Sequence, residues 1–107
     1  MIVVTTPTVA GIEIKEVRGL VRGSSVRTKH LGKDLIATLR NVAGGEIYEY
    51  TKMLAQAREQ AIDRMIEEAQ LLDADAVVAV RFQTSMVMKG AAEMLCYGTA
   101  VKLDDPA

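Results

Sequence analysis

A helical pattern runs through residues 46–72, EIYEYTKMLAQAREQAIDRMIEEAQLL, and two apolar stretches follow it: AVVAVRFQTSMVM at 76–88 and AEMLCYGTAVKL at 92–103. In the first stretch apolar residues recur every three to four positions opposite a polar face, which is the period of an α-helix. The two later stretches alternate with the period of two that a β-strand requires. These segments make up half of the chain and predict one long helix followed by two strands.

Two weaker strand patterns open the chain. Residues 2–5 are all β-branched, and Pro7 follows shortly after, which predicts a short edge strand or an arm because proline cannot donate to a sheet ladder. Residues 11–21 alternate with one phase slip between Ile14 and Val17, as a β-bulge produces. Gly23-Ser24-Ser25 then predicts the end of this second strand.

A short amphipathic helix is expected between the second strand and the long helix. Its apolar residues recur at intervals of four and three, and Gly44 follows as a left-handed cap. They are Leu31, Leu35, Leu39 and Val42. The chain is therefore expected to form one α+β domain over residues 1–107, in which the long helix packs on a mostly antiparallel sheet.

Composition excludes several classes of protein. The chain has 107 residues, of which 50% are hydrophobic and 25% charged, and its net charge of −1 gives no global attraction to nucleic acid or to an acidic membrane. Cys96 is the single cysteine, so no internal disulfide can form. No window reaches the roughly 18 apolar residues of a membrane span, and the N-terminus has no signal-peptide pattern. We expect a soluble cytoplasmic protein.

Charge is distributed unevenly along the chain. Seven basic and two acidic residues lie within 14–40, whereas eight acidic and three basic residues lie within 46–75. Opposite charges of this kind favour contacts between neighbouring subunits. The alternative is that the basic segment 15–40 binds nucleic acid or a phosphate ligand, but it lacks interleaved aromatic residues.

The length of the predicted elements favours self-assembly. A helix of 27 residues spans about 40 Å, whereas a compact domain of this size has a radius of gyration of only about 13 Å. The strand at 76–88 begins with apolar residues on both of its faces, and the long helix can cover only one of them. We therefore expect a homo-oligomer in which a second copy covers the other face.

Sulfur side chains are concentrated in the last two strands. A three-residue loop at 89–91 would pair Met86 with Met94 and Met88 with Ala92. One face would then carry Met86, Met88, Met94 and Cys96. Thioethers and a thiol suit Cu(I) or another soft metal ion. The alternative is that these side chains only fill the core, as methionine and buried cysteine commonly do.

No catalytic spacing is present, so we expect no enzymatic activity. His30 is the single histidine, and its neighbours Lys29 and Lys33 are cationic, which disfavours both a metal ion and a general base. Ser24 and Ser25 lack the glycine-flanked turn of a hydrolase nucleophile.

The start of the long helix is a candidate ligand site. Gly44 and Gly45 precede it, and the exposed amides of a helix N-terminus can hold an anion. Tyr50 could add a hydroxyl group or a stacking face. Glu46 and Glu49 already place negative charge there, so the alternative is a plain glycine turn.

A set of short motifs, in this order and spacing, resembles the YbjQ-like family of small prokaryotic proteins over nearly the whole chain. The motifs are Thr5-Thr6-Pro7, Gly11, the spacing of Gly19 and Gly23, Gly44-Gly45, Ala57-Arg58-Glu59 with Ala61, Ala74-Asp75-Ala76-Val77-Val78 and Gly98-Thr99-Ala100-Val101. The resemblance implies a dodecin-like β-α-β-β subunit and assembly as a homopentamer. The family is often labelled heavy-metal-binding, without a defined ligand set.

This chain departs from the family pattern at two positions. Glu46 stands where relatives usually carry a basic residue after the glycine pair, which weakens an anion site there. Asp73 stands where relatives usually carry the glycine that caps the helix, and aspartate tolerates the left-handed conformation that such a cap requires. Tyr50 matches a tyrosine that relatives also carry, so the resemblance favours a pocket near Gly44, Gly45 and Tyr50.

Overall fold

The computed structural model describes residues 1–28, 45–88 and 91–104. Its elements are β1 (Ile2–Val3), β2 (Ile14–Thr28), α1 (Gly45–Leu71), β3 (Ala76–Met88) and β4 (Ala91–Leu103). The predicted α+β class, the long helix and the two long strands are confirmed. The short helix predicted around residues 31–42 lies outside the described residues.

The strands form one four-stranded mixed sheet in the order β1-β3-β4-β2. β1 pairs with β3 in parallel, and the β3–β4 and β4–β2 pairs are antiparallel. β1 and β2 are therefore the two edge strands, and the prediction of a short edge strand at the N-terminus is confirmed. The sheet is mostly antiparallel because two of its three strand pairs are.

β2 is longer than predicted. The expected bulge is confirmed by register shifts between Ile14 and Glu16 and between Val17 and Gly19. The predicted end at Gly23 is wrong, since the strand continues to Thr28. Gly23 is needed for close packing rather than for a turn: a Cβ atom there would lie 2.1 Å from the carbonyl oxygen of Ala61 in α1.

The predicted register of the β3–β4 hairpin is wrong by two residues. Met86 lies opposite Ala92 rather than Met94, and Thr84 is the residue opposite Met94. β4 begins one residue earlier than predicted, which leaves residues 89–90 between the strands, and an irregularity between Met86 and Met88 shifts the pairing by one more.

The core lies between α1 and the sheet. Ala57, Ala61, Met65 and Ala69 form the buried stripe of the helix, each at most 1% exposed, as the helical pattern predicted. This stripe packs on the strands at Val21, Gly23 and Ser25 of β2 and at Met94, Cys96 and Ala100 of β4. Alanine at three of the four helix positions lets the helix backbone lie close to the sheet.

On the opposite face of the sheet, the described residues form a covered cluster at one end. There Ala76, Val78 and Val101 are buried beneath Val4 and Val9 of the N-terminal segment and Ile14 at the start of β2. The expectation that a second copy covers the start of β3 is therefore wrong, because the chain covers that part itself. A short segment suffices because only the first few residues of β3 carry apolar groups on both faces.

The molecule is elongated. Its Cα radius of gyration is 17.8 Å and its principal extents are 59 × 22 × 15 Å, compared with a radius of about 13 Å for a compact domain of this length. Within the described residues, no helix combines the length and the hydropathy that a membrane span needs.

Candidate functional site

Three sulfur side chains meet in the core between α1 and β4. The thiol of Cys96 donates to the thioether sulfur of Met65 at 3.4 Å, and both residues are fully buried. Met94 is 5% exposed and belongs to the same cluster of buried residues. We refer to Met65, Met94 and Cys96 as the sulfur cluster.

The sulfur cluster follows from the geometry of helix and strand. Met65 lies one helical turn after Ala61, on the stripe that faces the sheet. Cys96 and Met94 are two residues apart on β4, so their side chains point to the same face. Cys96 pairs with Gly23 on β2, and the missing side chain there brings α1 close enough for sulfur contact.

Burial sets the chemistry of the thiol. Desolvation raises the pKa of Cys96, because a thiolate is disfavoured in an apolar surrounding. The group is therefore a protonated thiol at neutral pH, which agrees with its donation to Met65. A soft metal ion could bind these sulfur atoms only if it displaced that proton.

The structure brings together some of the residues predicted to hold a metal ion. Met86, Met94 and Cys96 share the helix-facing side of the sheet, since Met86 pairs with Ala92 and strand partners point the same way. Met86 is 63% exposed, however, whereas Met94 and Cys96 are buried. The backbone of Met88 pairs with Ala91 beyond the irregularity in β3, and its side chain is outside the described part of the structure.

Met65 is the sulfur residue that sequence reasoning did not include in the candidate metal site. Its place on the apolar stripe of the helix was evident, but which strand residue it meets depends on how α1 lies across the sheet. A methionine at a position facing the strand that carries Cys96 was the available signal. Among residues 1–28, 45–88 and 91–104, no group of three or more His, Cys, Asp and Glu side chains is placed to hold a metal ion.

A groove runs beside α1 above β3. It has a volume of about 440 Å³ and is lined by Ala55, Arg58, Glu59, Ile62, Phe82, Thr84 and Met94. The hydroxyl of Thr84 donates to the sulfur of Met94 at 2.9 Å, which links the floor of the groove to the sulfur cluster. Phe82 is 46% exposed in this groove although it faces the helix side of the sheet. The groove exists because α1 packs on β2 and β4 and leaves this part of β3 uncovered.

The basic strand β2 and the acidic helix α1 form no ion pair with each other among the described residues. β2 carries four basic residues and one acidic residue, whereas α1 carries six acidic and three basic residues. The ion pairs within the described ranges join Arg18 to Glu16, and Lys102 to Asp73 and Asp75. None of them connects β2 with α1.

Two arginines donate to backbone carbonyl groups across the boundary between the helix region and β2. Arg18 donates to the carbonyl oxygen of Leu72 at 2.7 Å, and Arg64 donates to that of Ser24 at 2.5 Å. Both contacts fasten the helix to β2. The Nε atom of Arg27 is buried without a hydrogen-bond partner.

Comparison with known proteins identifies the family to which this chain belongs. A family model described as "Putative heavy-metal-binding", YbjQ_1, matches residues 1–104. The chain belongs to the YbjQ family. The resemblance stated from the sequence motifs is therefore confirmed.

Close relatives of this YbjQ-family chain occur in archaea. Proteins named UPF0145 protein are 61% identical in Methanosarcina acetivorans, over 96% of this chain and 97% of the relative, and 58% identical in Archaeoglobus fulgidus, over 96% and 95%. A crystal structure of a Pediococcus pentosaceus protein of unknown function, placed in the DUF74 family, is similar with a TM-score of 0.66. It is 21% identical over 97% of this chain and 98% of that one, so it supports the fold alone.

The departures from the YbjQ family pattern can be placed in the structure. Asp73 has a φ of 56°, which confirms the expected left-handed cap. Its N–H donates to the carbonyl of Gln70, and that of Ala74 to Ala69, so the last turn of the helix is closed without glycine. At the other end α1 begins at Gly45, while Gly44 and the side chain of Tyr50 lie outside what the structure describes.

Proposed function

We propose that this protein is a non-enzymatic cytoplasmic homo-oligomer that binds a soft metal ion or a small ligand. The observation that supports the assembly is the apolar surface exposed on the described part of the chain. On the helix side of the sheet Phe82 and Met86 are 46% and 63% exposed, and on the opposite side Leu20 and Val26 are 65% and 54% exposed. Large exposed apolar residues on both faces of one sheet are typical of surfaces that bind other proteins.

The elongated shape supports the same proposal. A chain whose longest extent is 59 Å and whose shortest is 15 Å buries little of its own surface at the far end of the sheet. Packing copies side by side would bury that surface. Five subunits is the number that the family resemblance implies, and a cytoplasmic location agrees with a single reduced cysteine.

Native mass spectrometry of protein purified without a chelator tests this assembly. At micromolar concentration we expect a single species of five chains, and the mass difference from five apo chains reports any retained metal ion. A stable monomer under the same conditions would refute the assembly.

The sulfur cluster supports binding of a soft metal ion. Thiolate and thioether groups are ligands that Cu(I) prefers, and Met65 already touches Cys96. We therefore propose Cys96, Met94 and Met65 as the central ligands. Met86 and Met88 stay predicted ligands; Met86 lies on the same face of the sheet but is 63% exposed.

Titration with Cu(I) under a non-thiol reductant tests the metal site. We expect one ion per chain, loss of binding in Cys96→Ser, and affinity about tenfold to a hundredfold weaker in Met65→Leu. Met53→Leu is the matched control, because Met53 lies on the same helix outside the sulfur cluster. Because the bound thiol must lose its proton, affinity should rise with pH below the raised pKa of Cys96, by about tenfold per pH unit. Equal binding by wild type and Cys96→Ser would refute the site.

The small-ligand part of the proposal concerns the start of α1. The helix does begin at Gly45, which supports an anion site formed by Gly44, Gly45 and Tyr50. Calorimetric titration with inorganic phosphate should show binding that Tyr50→Phe weakens and that the control Tyr97→Phe leaves unchanged. No heat of binding at millimolar phosphate would remove this site from the proposal.

A further inference from the structure

Along its outer edge, opposite the edge that pairs with β4, part of β3 has no neighbouring strand among the described residues. Ile2 and Val3 of β1 lie opposite Ala76 and Val77 of β3. The segment that follows β1 continues to exchange backbone hydrogen bonds with β3 as far as Val80. Beyond Val80, no strand of the described residues lies along the outer edge of β3. We call Arg81–Ser85 the open half of β3. An unpaired strand edge is a template for pairing with another strand.

No helix of residues 1–28, 45–88 and 91–104 lies above the same part of β3. Its helix-side residue Phe82 is 46% exposed, whereas Val77 and Val80 near the start of the strand are at most 3% exposed. The groove beside α1 lies over this part of the strand. As far as the described residues show, the backbone edge and the helix-side face of β3 are therefore uncovered at the same place.

We propose that the open half of β3 receives strand β2 of a second copy, so that the groove becomes a cleft shared by two subunits. The proposal rests on the assembly proposed above and names its contact surface. β2 is the other edge strand of the sheet, so every copy offers one edge of each kind. Pairing between unlike edges is repeated by each subunit, and it forms a closed ring when the rotation from one copy to the next closes.

The spacing of elements allows this arrangement. If β2 of the next copy continued the sheet beyond β3, the arrangement of one subunit would repeat after three strands. Neighbouring strands lie about 4.8 Å apart, so the α1 helices of neighbouring subunits would lie about 14 Å apart. A helix with its side chains is about 10–12 Å wide. The two helices would therefore fit side by side and leave a narrow cleft whose floor is Phe82 and Thr84.

The charges on the two sides of α1 match across such a cleft. Arg58 and Glu59 line the groove on the side of α1 that faces β3. On the side that faces β2, Arg64 reaches Ser24, and Glu67 lies about one turn further along the same side of the helix, about 60° away around its axis. Within the described residues Arg58, Glu59 and Glu67 form no ion pair. Copies placed side by side would bring Arg64 and Glu67 of one subunit towards Glu59 and Arg58 of the next.

The carbonyl of Ser24 is already bonded by Arg64, so the pairing would use the part of β2 that precedes it. Leu20 lies there and is 65% exposed. On β4, the partner of Leu20 is Thr99 and the partner of Gln83 is Leu95. These two partners are four residues apart, so Leu20 and Gln83 point to the same face of the sheet. Cysteines at these two positions would be close neighbours in the proposed pairing.

Cross-linking between differently tagged chains tests the pairing. Leu20→Cys and Gln83→Cys are placed in separate chains that also carry Cys96→Ala, and the chains are co-expressed and treated with a short bismaleimide. We expect a covalent dimer of one chain of each kind, and at least tenfold less product when either chain is present alone. Glu67→Cys in place of Leu20→Cys is the control, because it is exposed on the helix rather than on the strand edge, and it should give little product.

The outcomes separate this inference from the assembly itself. A monomeric wild type in native mass spectrometry refutes the assembly and the pairing together. An oligomeric wild type that gives no mixed product refutes the pairing alone. Efficient coupling of two Gln83→Cys chains would also refute it, because it would show that the open half of β3 meets its own counterpart.

A charge reversal tests the cleft independently. Arg58→Glu should lower the midpoint of oligomer dissociation, because it would face Glu67 of the neighbour. Adding Glu67→Arg should restore at least half of the loss. If the double variant dissociates as readily as Arg58→Glu, the helices do not face each other across the cleft.

Discussion

Gly23 shows how one residue decides the distance between helix and sheet. A Cβ atom at this position would lie 2.1 Å from the oxygen of Ala61 and 2.4 Å from the nitrogen of Met65, both of them backbone atoms of α1. Neither can move without displacing the helix. In the sequence Gly23 was interpreted as a strand end, since the same residue type serves both purposes.

Gly23→Ala is therefore expected to lower the free energy of unfolding by about 3 kcal/mol, at the upper end of the cost of overpacking a core. Urea unfolding followed by circular dichroism measures this change. Gly11→Ala is the control: Gly11 has a φ of 80° and open space around its Cα, so only backbone strain of about 1 kcal/mol is expected. Equal losses in the two variants would show that helix contact is not the cause.

Asp75 is the carboxylate whose environment lowers its pKa. The lowering comes first from the N–H of Leu103, which donates to its side chain at 2.9 Å, and then from Lys102 at 3.3 Å. A carboxylate with a lowered pKa stabilises the folded state above its ordinary value of 3.8 and loses that effect as the pH falls through the lower, folded-state pKa.

We therefore expect Asp75→Asn to lower the thermal unfolding midpoint at pH 7, with a difference from wild type that shrinks below pH 4. Differential scanning calorimetry at several pH values provides the measurement. Asp73→Asn should change little at any pH, since Asp73 is highly exposed and asparagine also tolerates its left-handed backbone. A difference that grows towards low pH would contradict this account of Asp75.

At the scale of elements, the bulge in β3 allows the N-terminal segment to join the sheet. Ala79 has a φ of 54°, which is unfavourable for alanine, and its N–H donates to the carbonyl of Thr6 at 2.8 Å. The next residue, Val80, donates to Val4, and Arg81 donates to Thr5. The bulge thus stores strain at the point where β1 is extended towards the open half of β3.

Ala79→Gly should relieve this strain and raise the free energy of unfolding by up to about 1 kcal/mol. Ala92→Gly in β4 is the control, because its backbone is not left-handed and the change should destabilise by about 1 kcal/mol. Chemical denaturation of both variants measures the difference. A loss in Ala79→Gly as large as that in Ala92→Gly would mean that the bulge is not strained.

The elements differed in how far the sequence could predict them. The limits of α1 and β3 were predicted almost to the residue, because long periodic patterns are local signals. The hairpin register was missed, since loop length and a single irregularity shift every pair along the strand without changing the alternation of either strand. Met65 was missed as a neighbour of Cys96 for the related reason that its contact depends on how α1 crosses the sheet.

At the scale of the whole molecule, the main feature is that large apolar side chains are exposed on both faces of the described sheet. The buried residues lie beneath α1 and beneath the N-terminal segment. The side chains of Leu20, Val26, Phe82 and Met86 are exposed. If copies cover these residues, folding and assembly are coupled, and the apparent stability depends on protein concentration.

We therefore expect the thermal unfolding midpoint to rise by several degrees between about 1 μM and about 100 μM protein. The chain has no tryptophan, so intrinsic tryptophan fluorescence cannot report unfolding. Circular dichroism measures the midpoint instead, with shorter path lengths at higher protein concentrations. Phe82→Glu should reduce the concentration dependence. A midpoint that does not change with concentration would contradict an assembly that stabilises the fold.

The amino-acid sequence by itself determined the class of fold, the long helix, the two long strands and the membership of a family, because all of these rest on local periodicity and on the order of motifs. Only the tertiary structure decided the strand register, the meeting of Met65 with Cys96, and which part of the sheet the chain covers. These features depend on where one rigid element lies on another. Small offsets between elements leave no periodic trace in the chain.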